Sequence, residues 1–178
     1  MLDQSIQAEL FKDDDAETFA VLDAASWPGL PGVLEGSRAE HACIMRGQLD
    51  AELIHVAPYL IRLREGDPLI DELIPDEPRK HRGIIIRASV SFPAVRNHFR
   101  DLTQVIGPDG DRLMFRYYDP RVLASFLPTC DATQLGELFG PAIEIFGERE
   151  DGPPALMRYW VEESRLRSTP LVPAGATA

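Results

Sequence analysis

The sequence predicts an α/β fold: one domain with a mixed β-sheet, helices packed on its faces, and an antiparallel hairpin near the C-terminus. Three observations carry that prediction. Short runs rich in β-branched and aromatic residues alternate with segments of helical spacing. Residues 83–90 hold Ile84-Ile85-Ile86, apolar at successive positions, the pattern of a central strand covered on both sides. The chain has 178 residues and 44% apolar content, enough for one well-packed core.

Residues 1–16 form an N-terminal segment in which Leu2, Ile6 and Leu10 recur at i, i+4 and i+8, the spacing of a short amphipathic helix. Asp13-Asp14-Asp15 ends it. Residues 17–166 are the domain, opened by a compact apolar run at 18–25 that reads as a buried strand. The proline and glycine of Trp27-Pro28-Gly29-Leu30-Pro31-Gly32 keep any helix there short. Strands are expected over 40–46 and 56–63. Gly66-Asp67-Pro68 then predicts a helix start, with Leu69, Ile70, Leu73 and Ile74 as its apolar stripe and Pro75 as its stop.

After the strand at 83–90, Ser91-Phe92-Pro93 opens a helix. Its Val95, Phe99, Leu102 and Ile106 make one core-facing stripe, and Arg96, Arg100 and Thr103 a polar one. Gly107-Pro108-Asp109-Gly110 has the residue types of a chain reversal. An aromatic strand follows over 113–118. Leu113, Phe115 and Tyr117 are expected on one side, with Met114, Arg116 and Tyr118 on the other. Asp119 before Pro120 suits the N-cap and first position of a helix launched directly from that strand. Asp131 and Gln134 stand in capping-box spacing, and Gly140-Pro141 is a stop signal. Residues 142–146 and 156–161 read as the two strands of the hairpin. Residues 167–178, with Pro170 and Pro173 among small side chains, read as a flexible tail.

Composition narrows the function. Eighteen basic against 29 acidic residues give a net charge of −11, which disfavours nucleic acid and anionic membrane as partners. No secretory leader and no apolar run of membrane-spanning length is visible, so a cytoplasmic location is expected. Cys43 and Cys130 are expected to be reduced thiols.

Candidate chemistry is sparse. His41 and Cys43 share one face of a predicted strand, but no spacing supplies the further ligands of a metal site. His98 and Asp119 are the best acid–base pair, and a small cytosolic hydrolase using them is the alternative reading of function. Arg96, Arg100, Arg116 and Arg121 are expected near the aromatic strand with Tyr118 between them. There they either receive an acidic segment of a partner or pair with carboxylates of their own chain. No catalytic set, metal site or cofactor motif is assigned, so the chain is not expected to be an enzyme.

Ordered blocks of residues carry a resemblance. They are Phe19-Ala20-Val21-Leu22-Asp23-Ala24-Ala25, Ala57-Pro58-Tyr59-Leu60, His98-Phe99-Arg100, Phe115-Arg116-Tyr117-Tyr118-Asp119-Pro120-Arg121, Phe126-Leu127-Pro128 and Phe139-Gly140-Pro141. In these the chain resembles a bacterial family of type VI secretion adaptor chaperones, formerly known only as a domain of unknown function. The resemblance implies a non-enzymatic adaptor that binds a secreted effector protein in the cytosol and helps load it onto the spike-tip protein. It also implies His98, Arg100, Arg116, Tyr118, Asp119 and Arg121, the family-motif residues, as the partner-binding set.

Overall fold

The computed structural model describes residues 4–12, 14–47, 49–73, 80–152 and 154–172. Its first half runs α1 (Gln4–Leu10), β1 (Glu17–Asp23), α2 (Leu30–Gly36), β2 (His41–Cys43), α3 (Ala51–Ile54), β3 (Pro58–Leu63) and β4 (Gly83–Ala88). The second half runs α4 (Phe92–Asp101), β5 (Gln104–Ile106), β6 (Arg112–Met114), α5 (Pro120–Phe126), a 3₁₀ turn (Leu127–Thr129), α6 (Ala132–Phe139), β7 (Ala142–Glu148), β8 (Leu156–Glu162) and β9 (Arg165–Leu171). Seven strands form one sheet in the order β2-β3-β1-β4-β7-β8-β9, and β5 with β6 makes a separate ribbon. The α/β class is as predicted. Every neighbouring pair in the large sheet is antiparallel, well beyond the C-terminal hairpin.

Alternation along the strands divides the core in two. Phe19, Val21, Leu60, Ile84, Ile86, Ile145 and Tyr159 point to one face, where α4, α5 and α6 bring Val95, Phe99, Leu123, Leu135 and Leu138. Ala20, Leu22, Ile61, Ile85, Phe146 and Leu156 point to the other, covered by Ile6 and Leu10 of α1 and Leu30 and Leu34 of α2. Sheet cover on both sides is what Ile84-Ile85-Ile86 demands, since all three are at most 1% exposed. Docking of α1 follows from the same pattern, because burial of Ile6 and Leu10 supplies what a seven-residue helix lacks on its own.

Four local expectations need correction. Residues 66–73 form successive i→i+3 turns and not an α-helix; Ile70 N–H bonds the Asp67 carbonyl and Leu73 N–H the Ile70 carbonyl. Leu69, Ile70 and Leu73 are still buried there, so the apolar triplet reports burial and not period. Ile74 and Pro75 lie outside the described residues. Helix α4 ends at Asp101, and Ile106 is 68% exposed instead of continuing the core stripe. Thr103, Val105 and Ile106 are β-branched and favour the extended strand that forms.

The aromatic strand stops at Met114. Phe115 N–H still bonds the Thr103 carbonyl, but a turn closed by Asp119 N–H to the Arg116 carbonyl follows, so both Tyr117 and Tyr118 face inward. Lastly, β9 occupies positions 167–171, where a tail was expected. Seven residue pairs join it to β8, and Pro170 is tolerated because β9 is an edge strand. Residues 173–178 lie outside the described residues.

Candidate functional site

The motif residues separate into two groups. One lies at the joint between β1, the 115–119 bend and the start of α5. Asp119 caps α5 by accepting from Arg121 N–H (3.0 Å), and the Arg121 guanidinium grips the same carboxylate through Nε (2.9 Å) and Nη2 (2.7 Å). Arg116 reaches across 93 positions to Asp23 at the end of β1, Nη2 to Oδ2 at 2.5 Å. Its guanidinium carbon stands 6.0 Å from the centre of the Tyr118 ring.

Burial sets the electrostatics. Asp23 and Asp119 have side chains only 2% and 6% exposed, whereas Arg116 and Arg121 are 43% and 54% exposed. The acids sit inside and the guanidinium groups outside. Burial alone would push the Asp119 carboxyl up, but hydrogen bonds from Arg121 and the charge of Arg116 hold it below the ordinary carboxylate range. Tyr118 is pushed up to about 12, first by burial and then by the nearby Asp23 charge. Asp23 was quoted in the sequence likeness but not among the binding residues. Its signal was a lone acid closing an otherwise apolar strand.

The second group lies on α4. His98 Nε2 donates to the Leu138 carbonyl (3.1 Å), satisfying one of the open carbonyls at the end of α6. Arg100 reaches Asn97 Oδ1 (2.9 Å), and Arg96 donates to the Cys43 carbonyl (3.0 Å). Phe99 between them is fully buried and receives Tyr117 Oη on its carbonyl (2.7 Å). His98 and Asp119 are therefore committed to different partners, and no hydrogen bond joins them. The four arginines do not gather around one strand either. Arg116 and Arg121 share the joint, while Arg96 and Arg100 serve α4.

His41 Nδ1 faces the Ala39 carbonyl (2.9 Å). Cys43 packs on one face of the sheet and Cys130 on the other, so the two thiols are kept apart by the sheet itself. Burial raises both thiols above their usual range. Among the described residues no three metal-ligating side chains converge, and no helix is long and apolar enough to cross a membrane.

Beyond the motif, one polar cluster escaped sequence reasoning. Arg87 of β4 is 2% exposed and donates to Glu144 Oε2 on β7 (2.9 Å) and to Asp14. Lys12 (3.1 Å) and Arg158 hold the other Glu144 oxygen, and both also pair with Glu9 of α1. This network fastens α1 to the sheet. Within an apolar run, Arg87 carried no pattern that would have located its partners.

The surface beside the joint is open. An open hollow of about 610 Å³ runs along α5, lined by Asp119, Arg121, Val122, Ser125, Phe126 and Thr129. Phe126 stacks edge-on against Phe115, ring centres 4.8 Å apart, and Phe115 roots the β5–β6 ribbon. All six residues of that ribbon are exposed. The domain thus turns Asp23 and Asp119 inward, where they hold the bend and the start of α5, and an apolar ribbon outward. The chain belongs to the family described as a domain of unknown function, DUF4123, whose profile matches residues 18–137. No curated protein and no solved structure matches it significantly.

Proposed function

We propose that this chain is an adaptor chaperone of a type VI secretion system, acting in the cytosol of the producing cell. It binds a cognate effector and helps load it onto the spike-tip protein, working by reversible contact and not by catalysis. The observation that carries this reading is the ordered motif set, 98–100 and 115–128 above all, lying inside the matched family region. The arrangement of the joint supports it. His98, Asp119 and Arg121 are each engaged in fixing α5 and α6, which leaves the neighbouring ribbon and hollow free for a partner.

Affinity purification of the tagged chain from cells expressing the secretion genes, with mass spectrometry of what accompanies it, tests the proposal. A toxin-like effector, with or without the spike-tip protein, is the expected companion. Recovery of the chain alone would count against the adaptor reading, as would turnover of a substrate abolished by His98→Ala.

A further inference from the structure

The β5–β6 ribbon exposes Val105 (40%), Ile106 (68%), Leu113 (49%) and Met114 (55%). These are four of the ten large apolar side chains left exposed among the described residues, packed into two strands of three residues. Scattered exposure is ordinary, but clustering of this kind marks an interaction surface. The residues occupy both faces of the ribbon. Ile106 and Met114 lie on one, and Val105 and Leu113, paired across the strands, on the other.

The main chain points the same way. The ladder joins Thr103 with Phe115 and Gly107 with Asp111, which places Val105 and Leu113 in the intervening hydrogen-bonded pair. The peptide groups of Gln104, Ile106, Arg112 and Met114 consequently face outward, and among the described residues no third strand flanks either edge. Two open edges beneath apolar side chains are a template for an added strand.

Charge selects the partner further. In a chain of net charge −11, the root of this ribbon shows cations. Arg116 and Arg121 are turned out at the root while their acids are buried, and exposed Arg112, in the last ladder pair before the tip, forms no ion pair among the described residues. The exposed acids Asp109 and Asp111 lie in the turn beside Arg112, and the charge of half-buried Glu150 also reaches Arg121.

We propose that the β5–β6 ribbon docks a protein partner through an added extended strand, apolar in sequence and flanked by acidic side chains that meet Arg112, Arg116 and Arg121. The identity of the partner as an effector rests on the adaptor reading; its chemistry does not.

The test uses the full chain and two short blocked peptides of alternating valine and threonine, one ending in glutamates and the other in lysines. Amide NMR shifts are followed on titration. The glutamate peptide is expected to shift Gln104, Ile106, Arg112 and Met114 saturably, and the lysine peptide to bind about tenfold more weakly or less. Ile106→Asp with Met114→Asp should abolish the shifts at unchanged melting temperature, since both side chains are exposed; Arg112→Glu should reverse the preference. Absent shifts, equal binding of both peptides, or shifts centred elsewhere would overturn the proposal. So would a dimer by light scattering that the double variant dissolves, because the ribbon would then belong to a second copy. Effector capture that survives the double variant sinks the ribbon and leaves the adaptor reading intact. Peptide binding without effector capture does the reverse.

Discussion

The imidazole of His98 fills the space into which a side chain at Gly140 would project. Gly140 has a φ of +49° at the end of α6, a conformation that glycine adopts freely, and its missing Cβ lets α4 approach closely enough for His98 to reach the Leu138 carbonyl. Gly140→Ala should therefore strain the backbone and push the ring out of place together. We expect a loss of about 2–4 kcal/mol in urea unfolding. His98→Ala should cost about 1–2 kcal/mol by freeing the carbonyl. The double variant should lose less than the sum, because the two sites share one space; strict additivity would refute the coupling.

The α1 network makes the fold acid-sensitive. A hydrogen bond from Arg87, followed by one from the Ala16 N–H, holds the Asp14 carboxyl below its usual range. Glu144 is also held low, since burial, which opposes its charge, is outweighed by Arg87, Lys12 and Arg158. Carboxyl groups depressed in the folded state bind fewer protons there than in the unfolded chain, so their contribution is complete above the unfolded values, near pH 4–5, and fades as pH falls through the folded ones. Melting temperature should drop steeply below about pH 4.5. Arg87→Met should lower stability by about 3 kcal/mol at neutral pH and flatten that acid slope. An unchanged slope in the variant would mean that other carboxylates govern it.

At the alkaline end the sign reverses. Tyr118 keeps its proton up to about 12, and the buried Tyr117 is raised well above the ordinary tyrosine range. The folded state then binds more protons than the unfolded one above about pH 10, so stability falls as pH rises from there through the folded values. Burial raises Tyr59 and Tyr159 as well, so absorbance titration should show all four tyrosines ionising late, Tyr117 and Tyr118 together with loss of native circular dichroism. Early, reversible titration of all four would contradict the burial of this pair.

Ending the chain at residue 164 removes β9, which pairs with every residue of β8. Such a chain should be markedly less stable than the full chain and prone to association through the exposed β8 edge. Light scattering and thermal melts of the two chains test both expectations.

Much of the scaffold was legible in the residues because local rules and burial agreed. Asp119-Pro120 and the Asp131/Gln134 box became the caps they spell, with Asp131 Oδ1 accepting from Gln134 N–H at 2.8 Å. Gly110 takes the positive φ, +83°, that the turn at 107–110 called for. The errors came where tertiary contacts decided. Leu69, Ile70 and Leu73 needed only burial, which turns supply as well as a helix. Tyr117 and Tyr118 broke the strand alternation because the core and the Asp23–Arg116 pair both draw the chain inward. Positions 168–171 looked featureless because an edge strand demands little of its outer face. The candidate site was half legible. Asp119 and Arg121 find each other locally, but His98 meets Leu138 40 positions away and Arg116 meets Asp23 93 positions away, partners that no local pattern encodes.

The fastening of α1 bears on how the protein comes off the ribosome. Lys12 meets Glu144 across 132 positions and Glu9 meets Arg158 across 149. At about 5–20 residues per second, those counter-charges are synthesised roughly 7–30 s after the helix that needs them. Until they emerge, Ile6 and Leu10 have no finished sheet to cover. Helix α1 is thus made before its counter-charges and seated only after them, and its apolar face waits uncovered while the rest of the sheet is synthesised.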